Sequence, residues 1–137
     1  MFKVLNIDHI GIAVSDLAAV KAIFGDALGI QPGKEDEVVA EQKVKVSFFP
    51  AGDAELEFLE STAPDGPIAK AIEKNGGKNL VQHIALRVDN IEAAIADLQA
   101  KGIEMLDKTP RYGAGGAKIA FIHPKATAGI LVEICQH

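Results

Sequence analysis

The strongest constraint on this chain is that much of it is written twice. Ile7-Asp8-His9-Ile10-Gly11-Ile12-Ala13-Val14 returns as Val81-Gln82-His83-Ile84-Ala85-Leu86-Arg87-Val88. Lys45-Val46-Ser47-Phe48-Phe49 returns as Lys118-Ile119-Ala120-Phe121-Ile122, and Leu56-Glu57-Phe58 as Val132-Glu133-Ile134. The offsets are 74, 73 and 76 residues, so the halves stay nearly in register. A duplicated fold sets equivalent residues about a pseudo-twofold axis. Two His and two Glu at matched places can then converge on one point, and such a set can hold a divalent metal.

Hydrophobic periodicity gives each half the order β-α-β-β-β. Residues 4–14 read as a half-buried strand. Ser15 offers an N-cap, Leu17, Val20, Phe24 and Leu28 follow at helical spacing, and Gly29 ends the helix. Residues 38–50 and 55–59 form a hairpin about Ala51-Gly52-Asp53. In the second half, Leu80–Val88 is a strand, and Asp89 or Asn90 is the N-cap of the helix that follows. Ile91, Ala94, Ile95 and Leu98 line one helix face, which Gly102 stops. Ile103–Leu106 is a short strand, and Lys118–Ile122 and Gly129–Ile134 form the closing pair. The connection holds a helix over 68–74, between Pro67 and Asn75-Gly76-Gly77. These boundaries give one domain: module 1 at about 1–62, a helical connection at 63–78, and module 2 at about 79–137.

Side chains alternate along a strand. Asp8, Ile10 and Ile12 therefore share one face, and His9 and Gly11 the other. Gly11 and Ala85 are small neighbours of the two histidines and leave room for a ligand shell. Glu57 and Glu133 each interrupt an apolar strand. A carboxylate there is costly unless it is paired, and either a cation or a Lys or Arg partner solves the problem. Two imidazoles plus two carboxylates suit a borderline-to-hard ion, so Co, Mn, Mg, Ni and Zn are all admissible.

Composition narrows the classes. At 137 residues and 48% hydrophobic, the chain makes one domain with a real core. A net charge of −5 argues against nucleic acid. No apolar run approaches a membrane span, and the N-terminus carries no signal-peptide pattern, so a cytoplasmic protein is the expectation. The single cysteine, Cys135, reads as packing filler and excludes an internal disulfide. His123, before Pro124, reads as a turn brace, and His137 as disordered.

Three stretches carry a resemblance: IDHIGIAVSDL at 7–17, LEFLES at 56–61 followed by PIAKAIEKNGG at 67–77, and TPRYGAGGAKIAFIHPKATAGILVEIC at 109–135. With the paired His and Glu, the chain resembles the vicinal oxygen chelate superfamily and, within it, the methylmalonyl-CoA epimerases. The last stretch is the most specific. The resemblance implies an α+β fold of the glyoxalase/bleomycin-resistance type, with two tandem βαβββ modules forming a curved mixed sheet around a metal site. It implies metal ligands at His9, Glu57, His83 and Glu133, and a substrate-facing Arg111–Gly116 loop and His123-Pro124-Lys125 turn. Arg111, Gly113, Gly115, Gly116 and Lys125 are the substrate-binding candidates, and Lys70, Lys74 and Lys78 are candidates for CoA phosphates. One departure stands out. Certain members carry a Glu, proposed as a base, where this chain has Val46, and Glu41 is not at that position.

The implied reaction inverts C2 of 2-methylmalonyl-CoA by proton removal and return through an enolate. It needs one divalent metal and no organic cofactor, and it belongs to propionate metabolism. Glu133 is the leading acid/base candidate. A homodimer is implied, with no membrane partner. Two rivals stay open. Glyoxalase I uses the same metal set on a glutathione hemithioacetal, and the C-terminal stretch disfavours it. A metal-free ligand-sequestering protein of the same fold would be richer in aromatics than the 5% found here.

Overall fold

A computed structural model describes residues 1–137. Its strands are β1 (Val4–Ala13), β2 (Lys34–Val39), β3 (Val44–Ala51), β4 (Ala54–Ser61), β5 (Leu80–Val88), β6 (Arg111–Tyr112), β7 (Lys118–Ile122) and β8 (Val132–Gln136). The helices are α1 (Leu17–Lys21), α2 (Pro67–Lys74) and α3 (Ile91–Ala100). The strands hydrogen-bond in the order β2-β3-β4-β1-β5-β8-β7-β6. The chain divides into two compact units, Met1–His9 with His83–His137, and Ile10–Gln82.

In the unit of residues 10–82, β3 and β4 form an antiparallel hairpin that pairs Val44 with Ser61 and Ala51 with Ala54. The expected strand over 38–50 is really two. A short 3-10 turn at Ala40–Gln42 and left-handed Lys43 separate β2 from β3. Helix α1 packs Leu17 and Val20 against Val14, Phe49 and Phe58. Its N-cap is Asp16, not Ser15: the Asp16 carboxylate accepts the Ala19 N–H at 3.3 Å, and the Ser15 N–H goes to Asn79 Oδ1 at 3.0 Å. The helix does not run on regularly to Leu28. Residues Ala22–Ala27 form a π-helix, with the Leu28 N–H bonded to the Ile23 carbonyl at 2.9 Å. A wider turn delays every later residue around the axis. Phe24 still reaches Phe58, with ring centroids 4.8 Å apart, but Leu28 is turned to solvent.

In the other unit, β5 and β8 run parallel, with Ala85 beside Glu133, and β7 pairs antiparallel to β8, with Phe121 beside Glu133. Helix α3 is regular. The Asn90 side chain accepts the Ala93 N–H at 3.0 Å, and Gln136 Oε1 accepts the Ile91 N–H at 2.8 Å, which satisfies two of the orphan donors at the helix start. Ile91, Ala94 and Ile95 pack on Val88, Ala120, Ile122 and Ile134. A second cluster forms from Ala85, Ala117, Ile119 and Cys135. The expected strand at 103–106 reduces to a single bridge between Met105 and Ile122. The additional strand is β6 at 111–112, too short to carry an alternation signal.

Candidate metal centre

Strand β5 carries His83 two residues before Ala85, so both side chains leave the same face, and the Ala85 register partner is Glu133. Ala85 is fully buried, and its small side chain leaves the space above it to the imidazole and the carboxylate. β1 brings His9 to the same place. His9 and His83 Nε2 lie 3.1 Å apart, His9 Nε2 is 3.4 Å from Glu133 Oε2, and His83 Nε2 is 3.5 Å from Glu133 Oε1. All three residues are buried. The Glu133 Oε2 atom is buried with no hydrogen-bond partner.

Burial sets the proton states. Desolvation, with His9 adding to it, pushes His83 down to about 3, so its ring is neutral. Desolvation pushes Glu133 up to about 7, against the pull of His9. Burial is the larger cause of both shifts. The donor set fits a divalent cation. Ligands about 2.0–2.2 Å from one shared ion lie about 3.0–3.5 Å from one another, the spacing seen here, and the unpartnered carboxylate oxygen would supply a lone pair. His9, His83 and Glu133 would hold the ion.

Glu57 lies buried in the middle of β4, in the unit of residues 10–82. Val46 is buried on β3, 1% exposed, and carries no titratable group. Arg111 stacks over the Phe121 ring at 5.6 Å while its Nε donates to Asp107 at 3.1 Å, and Phe121 packs edge-on against His83 at 5.5 Å. A short chain of side chains thus links Arg111 to the cluster. The glycines beyond it have local reasons. Gly115 and Gly116 sit at φ 73° and 75°, and a Cβ on Gly113 would come within 2.9 Å of Ile119. Lys125 is exposed in the turn after Pro124, where its backbone N–H donates to His123 Nδ1 at 3.1 Å. His123 is therefore the turn brace its position suggests.

Two residues depart from the sequence reading. Alternation put Asp8 on the face away from His9, yet Asp8 Oδ2 accepts from His9 Nδ1 at 2.7 Å. Alternation fixes where Cβ atoms point; Nδ1 lies close to its own backbone, within reach of the preceding carboxylate. His137, expected to be disordered, is placed with its Nε2 2.8 Å from Asp8 Oδ1. Burial alone would raise Asp8, but hydrogen bonds from His9 and Arg87 outweigh it and hold the carboxyl far below its usual range. Cys135 is buried, and burial with the neighbouring Asp8 and Glu133 carboxylates raises its thiol well above the ordinary value, which suits packing and not nucleophilic attack.

A model of the Glyoxalase/Bleomycin resistance protein/Dioxygenase superfamily matches residues 8–121, and the chain belongs to that superfamily. Within it the chain resembles the methylmalonyl-CoA epimerases. It is 38% identical to human mitochondrial methylmalonyl-CoA epimerase over 131 residues, covering 96% of this chain and 73% of the relative. It is also 38% identical to the uncharacterized protein YqjC of Bacillus subtilis over 131 residues, 96% of this chain and 91% of that one. Among solved structures, a variant of Streptomyces coelicolor methylmalonyl-CoA epimerase in complex with 2-nitronate-propionyl-CoA superposes with a TM-score of 0.91. It has 34% identity and covers 98% of this chain and 95% of that chain. The fold expected from the duplicated modules is the fold found. No helix is long and apolar enough to cross a membrane.

Proposed function

We propose that this protein epimerises 2-methylmalonyl-CoA at C2 and depends on one divalent metal. The observation that carries the reading is the buried Glu133 carboxylate, one oxygen of it without a partner, facing the two imidazole nitrogens with an oxygen each, in a chain whose relatives include methylmalonyl-CoA epimerases. Glu57, which the repeat matches to Glu133, completes the proposed ligand set with His9 and His83. A bound dication would supply positive charge where the enolate's negative charge grows. The C2 proton is acidified by its thioester and carboxylate neighbours. Glu133 takes it from one face. Return from the other face inverts the centre. Val46 supplies no proton, so a group other than the residue at that position performs the return.

Arg111 is proposed to draw in the substrate carboxylate, with backbone N–H groups of Gly113, Gly115 and Gly116 cradling it and Lys125 meeting the CoA portion. The two modules and their connection act as one domain in this reading. A homodimer suits the exposed Val4, Leu5 and Ile7 side chains along β1. A cytoplasmic place suits the lone buried thiol, and a place in propionate metabolism follows from the proposed substrate.

The test is deuterium wash-in at C2 of methylmalonyl-CoA, run on purified protein with and without chelator. Exchange that chelation abolishes and Co or Mn restores is the expected result. Exchange that survives exhaustive chelation overturns metal dependence. No exchange with any of the five candidate metals, together with turnover of the glutathione hemithioacetal, replaces the epimerase reading with glyoxalase I.

A further inference from the structure

The carboxylate of Asp8 is where several polar groups of one unit meet. Its Oδ2 accepts from His9 Nδ1 at 2.7 Å. Its Oδ1 accepts from Arg87 Nε at 2.9 Å and from Arg87 Nη2 at 2.7 Å. His137 Nε2 lies 2.8 Å from the same oxygen. Asp8 is only 7% exposed, and a carboxylate that deep is kept only when it is paired.

To ligate a cation the His9 ring must be neutral, and a neutral imidazole has one proton to place. The Asp8 carboxylate, an acceptor only, takes that proton at Nδ1. Nε2 is then the unprotonated nitrogen, and it is the one that faces His83 and Glu133. A ring that could exchange tautomers, or rotate about its χ2 bond, would present that lone pair only part of the time. We propose that Asp8 is a positioning residue for the cluster: it locks His9 in the Nδ1–H form with Nε2 aimed at the cation, and Arg87 fixes the carboxylate in turn. This rests on the metal-binding reading above. The repeat places Gln82, a neutral residue, where Asp8 stands in the first copy, so a preceding carboxylate serves only one of the two histidines.

The variants Asp8→Ala, Asp8→Asn and Arg87→Gln separate positioning from simple stability. On chelator-treated protein, long-range proton–nitrogen correlation of the imidazole rings reads the tautomer directly. Wild type should show His9 protonated at Nδ1, and Asp8→Ala should lose that preference. Cobalt(II) titration should show an affinity lowered about 10–100-fold in Asp8→Ala. The loss should be smaller in Asp8→Asn, which keeps an acceptor oxygen, and smallest in Arg87→Gln. If Asp8→Ala does not fold, Asp8→Asn carries both measurements. A variant that melts earlier but keeps the wild-type tautomer and cobalt affinity overturns the proposal. A wild-type protein that binds no cobalt defeats the metal reading instead, and the tautomer measurement still decides whether Asp8 governs the ring.

Discussion

In the unit of residues 10–82, Asp36 takes the Lys21 ammonium on one oxygen and the buried Ser47 hydroxyl on the other. In the unit of residues 1–9 and 83–137, Asp8 accepts from Arg87 and His9, the His9 and His83 rings meet at Nε2, and both rings lie against Glu133, one oxygen of which has no hydrogen-bond partner. Both sets are buried or half-buried, and both place a carboxylate among cations or donors. The first set closes on itself, so its contribution is stability. The second stops one partner short, and that opening is where the proposed chemistry would enter. A buried polar network is informative about function through the lone pair it leaves over, because a network selected for stability alone would satisfy that atom or replace it with an apolar one.

The sharpest way to break this comparison is Glu133→Gln. The substitution keeps shape and volume and removes the proton acceptor. Deuterium wash-in at C2 should fall about 10²–10⁴-fold, while substrate binding falls far less. Unimpaired wash-in would mean that the open end of the network is no more functional than the closed one. Folding should survive, since a neutral amide is cheaper to bury than a carboxylate lacking its cation.

Duplication makes the open network partly legible in the sequence. His9 matches His83 and Glu57 matches Glu133 in the repeat, and small Ala85 beside His83 points to room for a ligand shell. Asp8 was hidden because alternation speaks of Cβ direction, not of where a ring nitrogen ends. His137 was hidden because a residue at a chain end carries no periodicity. Irregular backbone also escaped. A π-turn has no sequence period distinct from an α-helix over six residues, and a two-residue strand such as β6 has none at all. Asn90, by contrast, was among the caps offered, because a side-chain acceptor ahead of an apolar helix face has a local mechanism. Asp16 fell one residue from Ser15, within the usual blur of helix ends.

The closed network is tested by Asp36→Ala. It strands the Ser47 hydroxyl, which is 1% exposed, and removes the Lys21 partner. Urea denaturation should show a loss of about 1–3 kcal/mol, with C2 exchange per folded molecule unchanged. The pH dependence has a definite sign. Burial raises the Asp36 carboxyl, but the bonds from Lys21 and Ser47 outweigh it, and the group lies below its ordinary value of 3.8. The folded state therefore binds fewer protons than the unfolded one around and below pH 4. Stability from Asp36 is fully present above that range and is lost as the pH falls through it. Wild type and Asp36→Ala should converge in stability on acidification. A gap that stays constant down to pH 2 would show that the ion pair contributes nothing beyond packing.

The smallest effect expected is also the most discriminating for the irregular helix. An uninterrupted α-helix from Leu17 would carry Leu28 onto the buried face with Val20 and Phe24. Truncating it would then cost about 2–5 kcal/mol. The π-turn instead turns Leu28 to solvent, 61% exposed, while Phe24 keeps its place against Phe58. Leu28→Ser should therefore change stability by no more than about 0.5 kcal/mol, measured by chemical denaturation at neutral pH. A loss of several kcal/mol would show that the segment is a regular helix in solution. The contrast between a broken helix in one unit and the regular α3 in the other would then disappear.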